Sequence, residues 1–229
     1  MARNCPIYGS AVYLDCIDCD SKLCKEVRRK YQQICIGIDQ SYENTGISIS
    51  ADGNLIKVKS VRLDKCKDNS VRRNKLRKVL DKIVQNCVNN SKEVVCVIER
   101  IRLQSQGFIN INYIKSIGAL NSIIIDICHE YLVDVYSVDT RSWKSQVIGT
   151  SKPQKNKYGV PEEKWPTVLW LLKQGWGPDI LIDVTDTRKT KGTFESNGRK
   201  YMYNNDAADS AGISMYWFIG NKSLLKEEK

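Results

Sequence analysis

Four acidic residues in this chain could bind metal ions and carry out chemistry. Asp39 ends the apolar run ICIGID, and Glu99 ends the apolar run VVCVIE. Asp206 and Asp209 lie three residues apart in NNDAADSAG, so on a helix they project from one face. Carboxylate oxygens suit Mg²⁺ or Mn²⁺, and two such ions about 4 Å apart can clamp both reacting oxygens of a phosphodiester. The spacing therefore favours phosphodiester hydrolysis.

Each acid also has a simpler interpretation. An Asp at a strand end is often a turn residue, and Asp206 would be stabilised near a helix N-terminus. An acid directly after a buried run is costly, however, unless it is paired or metal-bound. If the last helix lies across the first and fourth strands, all four acids converge. In the sequence only Arg100 adjoins any of them, so we expect mutual repulsion unless cations fill the site. Weaker candidate ligands are Asp139, Asp183 and Asp186.

The elements that would position these acids follow from hydrophobic periodicity. Strands are predicted at 34–39, 45–50, 55–63, 94–99 and 133–138. Helices are predicted at 70–90, 110–131, 161–174 and 205–219. This order, βββαβαβα, predicts an α/β domain over residues 33–229, with a mixed five-stranded sheet flanked by helices.

Local signals refine these elements. Asp52-Gly53 predicts a hairpin turn, and Ser70 is a candidate helix cap. Asn205 is expected to start the last helix, and Gly220 follows its end. Gly118 weakens its helix, which predicts a close backbone contact there. Residues 175–204 are the least regular and are predicted to form a mobile basic loop or a hairpin.

Four of the nine cysteines are crowded into the first 24 residues, spaced C-x10-C-x2-C-x4-C. They are Cys5, Cys16, Cys19 and Cys24. Four thiolates that include a C-x2-C turn favour one structural Zn²⁺, so we predict a zinc knuckle and connector over residues 1–32. Free thiols are the alternative, and two disulfides are less favoured. The other five are predicted to be small core residues: Cys35, Cys66, Cys87, Cys96 and Cys128.

The amino-acid composition limits the class of protein and the kinds of partner that it can bind. The chain has 229 residues, with 36 basic and 26 acidic side chains, a formal charge of +10 and a pI near 9.1. No apolar run approaches the roughly 18–20 residues that cross a bilayer, which excludes a membrane protein. The N-terminus has no apolar signal region, so we expect a soluble cytoplasmic protein. The positive charge favours a nucleic acid partner, although a solvated basic face is the simpler alternative.

Several segments together resemble the RuvC family of Holliday-junction resolvases over roughly residues 33–220. They are IGIDQSYENTGISI, VIERIRL, DTRSWKSQVIGTSK and DAADSAG, in that order. The resemblance implies an RNase H-like fold in which the four acids, Asp39, Glu99, Asp206 and Asp209, hold two metals. It also implies a homodimer that cuts four-way DNA junctions by paired nicks leaving 5′-phosphates, without a small-molecule cofactor.

The sequence departs from this family in three places. Arg102 occupies the position, three residues after the strand-end Glu, where bacterial members commonly have an aromatic residue. The cysteine-rich N-terminus is an addition, and the 175–204 segment is longer than expected. These departures predict a divergent member, of a phage or mobile-element type, in a bacterial or phage-infected cell. They leave the substrate open.

Basic residues provide candidate DNA contacts. We expect phosphate contacts from Arg102, Arg141, Lys144, Lys152, Lys189 and Lys191. Arg199 and Lys200 are further candidates, and their segment could equally be a solubilising loop. Trp143 is predicted to be buried rather than stacked on a base, and His129 to be a helix-end residue rather than a ligand. On the resemblance, helix 110–131 is expected to form the dimer face.

Three functions are compatible with these patterns. The first is a metal-dependent, structure-selective endonuclease that resolves four-way junctions. The second keeps the same site but acts on flaps, other branched DNA or structured RNA. The third is a non-catalytic, zinc-bearing scaffold for nucleic acid, which the presence of all four acids disfavours.

Overall fold

The computed structural model describes residues 30–63, 66, 68–101, 111–184, 193–219 and 225–227. Several predicted site residues lie outside these ranges, and their roles stay predictions. They are Cys5, Cys16, Cys19, Cys24, Arg102, Asp186, Lys189 and Lys191. The zinc knuckle therefore lies outside the described residues.

A mixed sheet forms the centre of the fold. Its strands are β1 (Tyr31–Asp39), β2 (Asn44–Ala51), β3 (Asn54–Arg62), β4 (Ser91–Glu99), β5 (Asp134–Val138) and β9 (Leu225–Glu227). Their order is β3-β2-β1-β4-β5-β9; β4 is parallel to β1 and β5, and the other pairs are antiparallel. The predicted five-stranded mixed sheet is confirmed, and β9 adds an unpredicted edge strand beside β5.

Helices cover both faces of this sheet. They are α1 (Asn69–Asn90), α2 (Ile111–Glu130), α3 (Thr140–Trp143), α4 (Trp165–Lys173), α5 (Gly177–Ile180) and α6 (Asn205–Tyr216). A π-helical turn, Lys144–Ile148, follows α3, and a 3₁₀ turn, Trp217–Ile219, follows α6. The four predicted helices are present, but α4 begins four residues later than expected. Pro166 lies in its first turn, where the missing N–H leaves no hydrogen bond unmade. None of the helices in these ranges is long and apolar enough to span a bilayer.

Two local predictions are corrected. Asp68 caps α1 instead of Ser70: its Oδ1 accepts a hydrogen bond of 2.9 Å from the backbone N–H of Val71. Asn205 starts α6, as predicted, and the extended residue before it, Asn204, caps the helix. A Cβ on Gly118 would meet nothing within 4 Å, so the close contact predicted there is absent from the described part of the chain.

The described parts of the segment predicted as a loop or hairpin, 175–184 and 193–204, contain α5 and a second, small sheet. Its strands are β6 (Leu181–Asp183), β7 (Phe194–Ser196) and β8 (Arg199–Tyr203), in the order β6-β8-β7. Asn197 and Gly198 turn β7 into β8 with positive φ angles of 49° and 70°, a conformation typical of tight hairpins. The hairpin alternative was therefore right for the second half of this segment.

Successive side chains of β1 point to opposite faces of the sheet, and each face is covered by a different layer of helices. Ile34, Ile36 and Ile38 pack in the core cluster that also contains buried residues of α1 and α2. Cys35 on the other face packs with residues of α6. Because period-two alternation continues to the end of the strand, Asp39 emerges on the α6 face, as the sequence predicted.

Two glycines let α6 lie against the sheet. A Cβ on Gly46 of β2 would lie 1.9 Å from the backbone oxygen of Asp206. A Cβ on Gly37 of β1 would lie 2.4 Å from the backbone oxygen of Ser210. The last helix thus lies chiefly over the first and second strands, not across the first and fourth. This close approach fixes the height of α6 above the sheet, and with it the positions of its acids.

Candidate active site

Two of the predicted acids lie side by side at one edge of the sheet. β1 and β4 are parallel and in register, with Ile38 opposite Ile98, so Asp39 and Glu99 end neighbouring strands. Gln40 joins these ends: its side-chain amide donates to the backbone oxygen of Glu99, and its Oε1 accepts from the Glu99 N–H at 3.3 Å. The carboxylate of Glu99 accepts a hydrogen bond from the hydroxyl of Thr140. Backbone pairing and one side-chain contact therefore orient Glu99.

The other two acids project from the first turns of α6. Asp206 accepts a hydrogen bond of 2.9 Å from the Asn44 amide, which also donates to the cap residue Asn204 at 3.1 Å. Asp209 follows one turn later and is only 1% exposed. The start of β2 thus holds the start of α6, so that both carboxylates face the strand-end acids.

The electrostatics show that the four acids influence one another. Burial raises the pKa of Asp39, which is 6% exposed, well above its usual range. The ammonium of Lys164 opposes this shift, whereas the three neighbouring carboxylates add to it: Asp209, Glu99 and Asp206. Burial also raises the pKa of Asp206, and the hydrogen bond from Asn44 partly offsets that effect. The structure therefore brings the other three predicted acids close enough to Asp39 to affect its charge.

Lys164 is the site residue that sequence reasoning missed. Its ammonium pairs with Oδ2 of Asp209 and lies 3.8 Å from Oδ2 of Asp39. Burial opposes the charge on Lys164, but the carboxylates of Asp209 and Asp39 outweigh it and raise its pKa above the ordinary value. The predicted repulsion between the acids is therefore partly offset by a lysine of the chain itself.

Sequence adjacency could not reveal this contact, because Lys164 lies forty-five residues before Asp209. One signal was available. A lysine directly before the apolar helix WPTVLWLLK stands at the positive end of the helix dipole, where a cation is disfavoured. Such a position indicates that the lysine has an acidic partner elsewhere in the fold.

Lys144, predicted as a DNA contact, also lies inside the site. It is 5% exposed, donates to the backbone oxygen of Glu163 at 3.0 Å, and lies 3.8 Å from Oδ1 of Asp209. Its ammonium is therefore placed beside the acid cluster and is not available to a duplex lying on the surface. Arg141 and Lys152 are exposed, as a role in DNA contact requires.

The remaining candidates have local roles. Asp139 caps α3 through its Oδ1, which accepts from the N–H of Arg141 at 2.9 Å. Trp143 is fully buried, as predicted, and its ring fills the space where Gly212 lacks a side chain. His129 lies in the last turn of α2, as predicted. Asp183 ends β6 in the small sheet.

The donor set fits a hard divalent cation. Across the described ranges no three His, Cys, Asp or Glu side chains stand close enough to enclose a metal ion, and Lys164 supplies positive charge to the acids. Oδ2 of Asp39 and Oδ1 of Asp209 are nevertheless buried without a hydrogen-bond donor in this part of the chain. Unsatisfied carboxylate oxygens in an all-oxygen cluster are the ligands that Mg²⁺ or Mn²⁺ takes. The side chain of Lys164 is 29% exposed.

The sheet order, the helices on both faces and the acids at the strand ends define a divergent RuvC-like, RNase H-type fold. Similar solved structures include Thermus thermophilus RuvC (TM-score 0.50, 12% identity, 81% of this chain and 93% of that one). T. thermophilus RuvC in complex with a Holliday junction substrate has the same TM-score of 0.50. It is 11% identical, and the match covers 82% of this chain and 94% of that one. The yeast mitochondrial Holliday junction resolvase Ydc2 has a TM-score of 0.47 (14% identity, 85% and 81%). The sequence matches no protein-family model and no curated protein. At these identities the similarity shows the fold, which confirms the fold implied by the motifs.

Proposed function

We propose that this protein is a metal-dependent, structure-selective endodeoxyribonuclease that resolves four-way DNA junctions. The observation that carries the proposal is the proximity of four carboxylates, two of them with buried oxygens that accept no hydrogen bond from the described residues, at one edge of a RuvC-like sheet. One of the similar structures is described as a complex with a Holliday junction substrate, which supports this choice of DNA.

Asp39, Glu99, Asp206 and Asp209 would hold two divalent cations, Mg²⁺ or Mn²⁺. When bound, these ions supply an activated water and neutralise charge on the scissile phosphate. The rest of the chain positions the ligands: Gln40 and Thr140 orient Glu99, and Asn44 orients Asp206. These hydrogen bonds would hold Glu99 and Asp206 in place before substrate arrives, as preorganisation requires.

Lys164 would have two roles. In the metal-free protein its ammonium offsets the repulsion between Asp39 and Asp209. In the working enzyme the same ammonium would supply positive charge beside the carboxylates for a substrate phosphate. Lys144 would remain as a fixed positive charge behind Asp209. Neither lysine is a nucleophile in this proposal.

Paired nicks need two sites related by symmetry, so we propose a homodimer, with α2 as its interface. Arg141 and Lys152 would contact phosphates of the junction arms. A structural Zn²⁺ on the four N-terminal cysteines would complete the protein as a separate, non-catalytic unit.

The test is cleavage of a labelled mobile four-way junction with Mg²⁺, beside matched duplex, flap and RNA hairpin controls. We expect paired symmetric nicks in the junction. Asp39→Asn should reduce the rate by at least about 10²-fold while junction binding persists. Asp179→Asn, an exposed acid on α5, serves as the control and should cleave normally. Cleavage mainly of flaps or RNA would reassign the substrate, and tight junction binding without any cleavage would contradict an enzymatic role.

A further inference from the structure

A basic cavity of about 210 Å³ lies between α1, α2 and the loop after β1. The residues that matter in its lining are Tyr42, Asn69, Arg72, Arg73, Lys115 and Ser116. It belongs to the α1 and α2 layer of the sheet, whereas the acids of α6 belong to the opposite layer.

The cavity shares an edge of the sheet with the acid cluster. Across the sheet, Asp39 at the end of β1 lies opposite Gly46 of β2, and Gly46 lies opposite Ser60 of β3. The last residue of β3, Arg62, lies opposite Asn44, the first residue of β2. β1 and β3 therefore end at the same side of the sheet, and α1 begins soon after β3. α2 follows β4, which ends at the same edge. The cavity and the acids therefore lie on opposite faces of the sheet, at the side where β1 and β4 end.

Arg72 has a fixed guanidinium with unused donors. Its guanidinium carbon lies 4.0 Å from the centroid of the Tyr42 ring, in a cation–π contact. The Tyr42 hydroxyl donates to Oδ1 of Asn69, which holds the ring in place. Nε and Nη1 of Arg72 are buried and donate to no acceptor among the described residues. Buried donors without acceptors are destabilising, so this arrangement fits a ligand that brings acceptor oxygens.

The positive charge of the cavity lining favours an anionic ligand. Arg72, Arg73 and Lys115 line it, and no acidic side chain does so within the ranges that the structure describes. The acid nearest to Arg73 along the chain is Asp68, whose carboxylate is engaged as the cap of α1. Guanidinium groups present paired N–H donors that match the oxygens of a phosphate.

We propose that this cavity binds a backbone phosphate of the nucleic acid, as an anchor beside the cleavage site. The inference rests on the proposed function for its choice of nucleic acid, since inorganic phosphate has the same chemistry. This anchor would hold the nucleic acid strand at a second point, on the face of the sheet opposite to α6.

The test compares two double variants of the full chain in the cleavage-deficient Asp39→Asn background. Arg72→Gln with Lys115→Gln removes cavity charges; Lys78→Gln with Lys82→Gln removes the same charge from exposed positions of α1. Affinity for a four-way junction and for a single strand is measured over a range of salt concentrations. The cavity variant should bind about tenfold more weakly or worse, and the slope of log affinity against log salt should fall by about 1 for each lost contact. The control should stay within about twofold, and circular dichroism melting checks that both variants fold.

A second arm separates the two phosphate sources. Inorganic phosphate is titrated into the protein while the side-chain Nε–H resonance of Arg72 is followed by NMR, with Arg72→Gln used to assign it. If junction DNA shifts this resonance and phosphate competes, the cavity is the anchor. If phosphate shifts it and junction DNA does not, the nucleic acid assignment is overturned. Equal DNA affinity in the cavity and control variants also overturns the inference. These readouts are independent of cleavage. If the protein cuts no junction but the cavity variant binds DNA more weakly, the anchor is supported and only the proposed function is contradicted.

Discussion

The ammonium of Lys164 pairs with the carboxylate of Asp209, a residue forty-five positions further along the chain and on a different helix. Lys164 immediately precedes α4, and Asp209 lies in the second turn of α6. The same ammonium lies 3.8 Å from Asp39 at the end of β1. One lysine thus bridges an acid from the sheet and an acid from the helix packed on it, so the metal-free site contains its own counter-charge.

Removing Lys164 should destabilise the metal-free protein. In Lys164→Met the carboxylates of Asp39 and Asp209 lose their nearest cation. We expect the free energy of unfolding to fall by about 1–3 kcal/mol, between the values for exposed and for buried pairs, because the lysine is 29% exposed. Millimolar Mg²⁺ should restore more stability to this variant than to the wild type. Urea unfolding with and without Mg²⁺ measures both effects. Lys173→Met, at the exposed end of α4, is the control, and an equal loss in both variants would contradict the bridging role.

Asp39→Asn should stabilise the metal-free protein at neutral pH. Burial, together with the neighbouring carboxylates, raises the pKa of Asp39 in the folded state. The folded protein therefore loses stability as pH rises from the ordinary Asp value, about 3.9, through the raised pKa. Removing the charge in Asp39→Asn should therefore raise the free energy of unfolding at pH 7.

Below about pH 4 the Asp39→Asn gain should vanish, because the carboxyl group is then protonated in both the folded and the unfolded state. Melting curves across pH, in chelator, measure the difference from wild type. A variant less stable than wild type at neutral pH would show that the Asp39 charge is compensated.

Gly46→Ala should move α6. Its Cβ would overlap the backbone of Asp206, and backbone cannot rotate away as a side chain can. We expect a loss of about 2 kcal/mol or more in unfolding free energy, with at least tenfold slower cleavage because both helix acids shift. Gly118→Ala on α2, where a Cβ meets nothing within 4 Å, should instead add about 0.5–1 kcal/mol. Thermal melts and junction cleavage of the two variants provide the comparison; a harmless Gly46→Ala would refute the close packing of α6.

Thiol labelling should separate the cysteines into classes. Burial raises the pKa of Cys87 to about 12 and the pKa of Cys35 well above its usual value, so neither forms thiolate at about pH 8. Cys66 is half-buried and should label first among the described cysteines. If the N-terminal cysteines hold zinc, they should label only after a chelator is added. Mass spectrometry of labelled peptides reads out each class. Fast labelling of Cys35 would contradict its burial, and chelator-independent labelling of the N-terminus would contradict the knuckle.

Much of the fold could be predicted from local pattern. Period-two alternation in β1 placed Asp39 on the face opposite Ile38, and three-residue spacing placed Asp206 and Asp209 on one side of a helix. These relationships depend on residues a few positions apart, and the backbone geometry of a strand or helix settles them. The five central strands, the long helices and the candidate acids were therefore readable from the sequence alone.

The tertiary structure decided which distant groups complete the site. Lys164 reaches Asp209 only because α4 docks beside α6, and Lys144 is buried only because Trp143 packs against Gly212 and carries the following π-helical turn inward. The cavity of Arg72 likewise exists only where the start of α1 meets α2. Such contacts join elements far apart in the chain, and their geometry follows from side-chain packing across the whole domain, for which local periodicity has no signal.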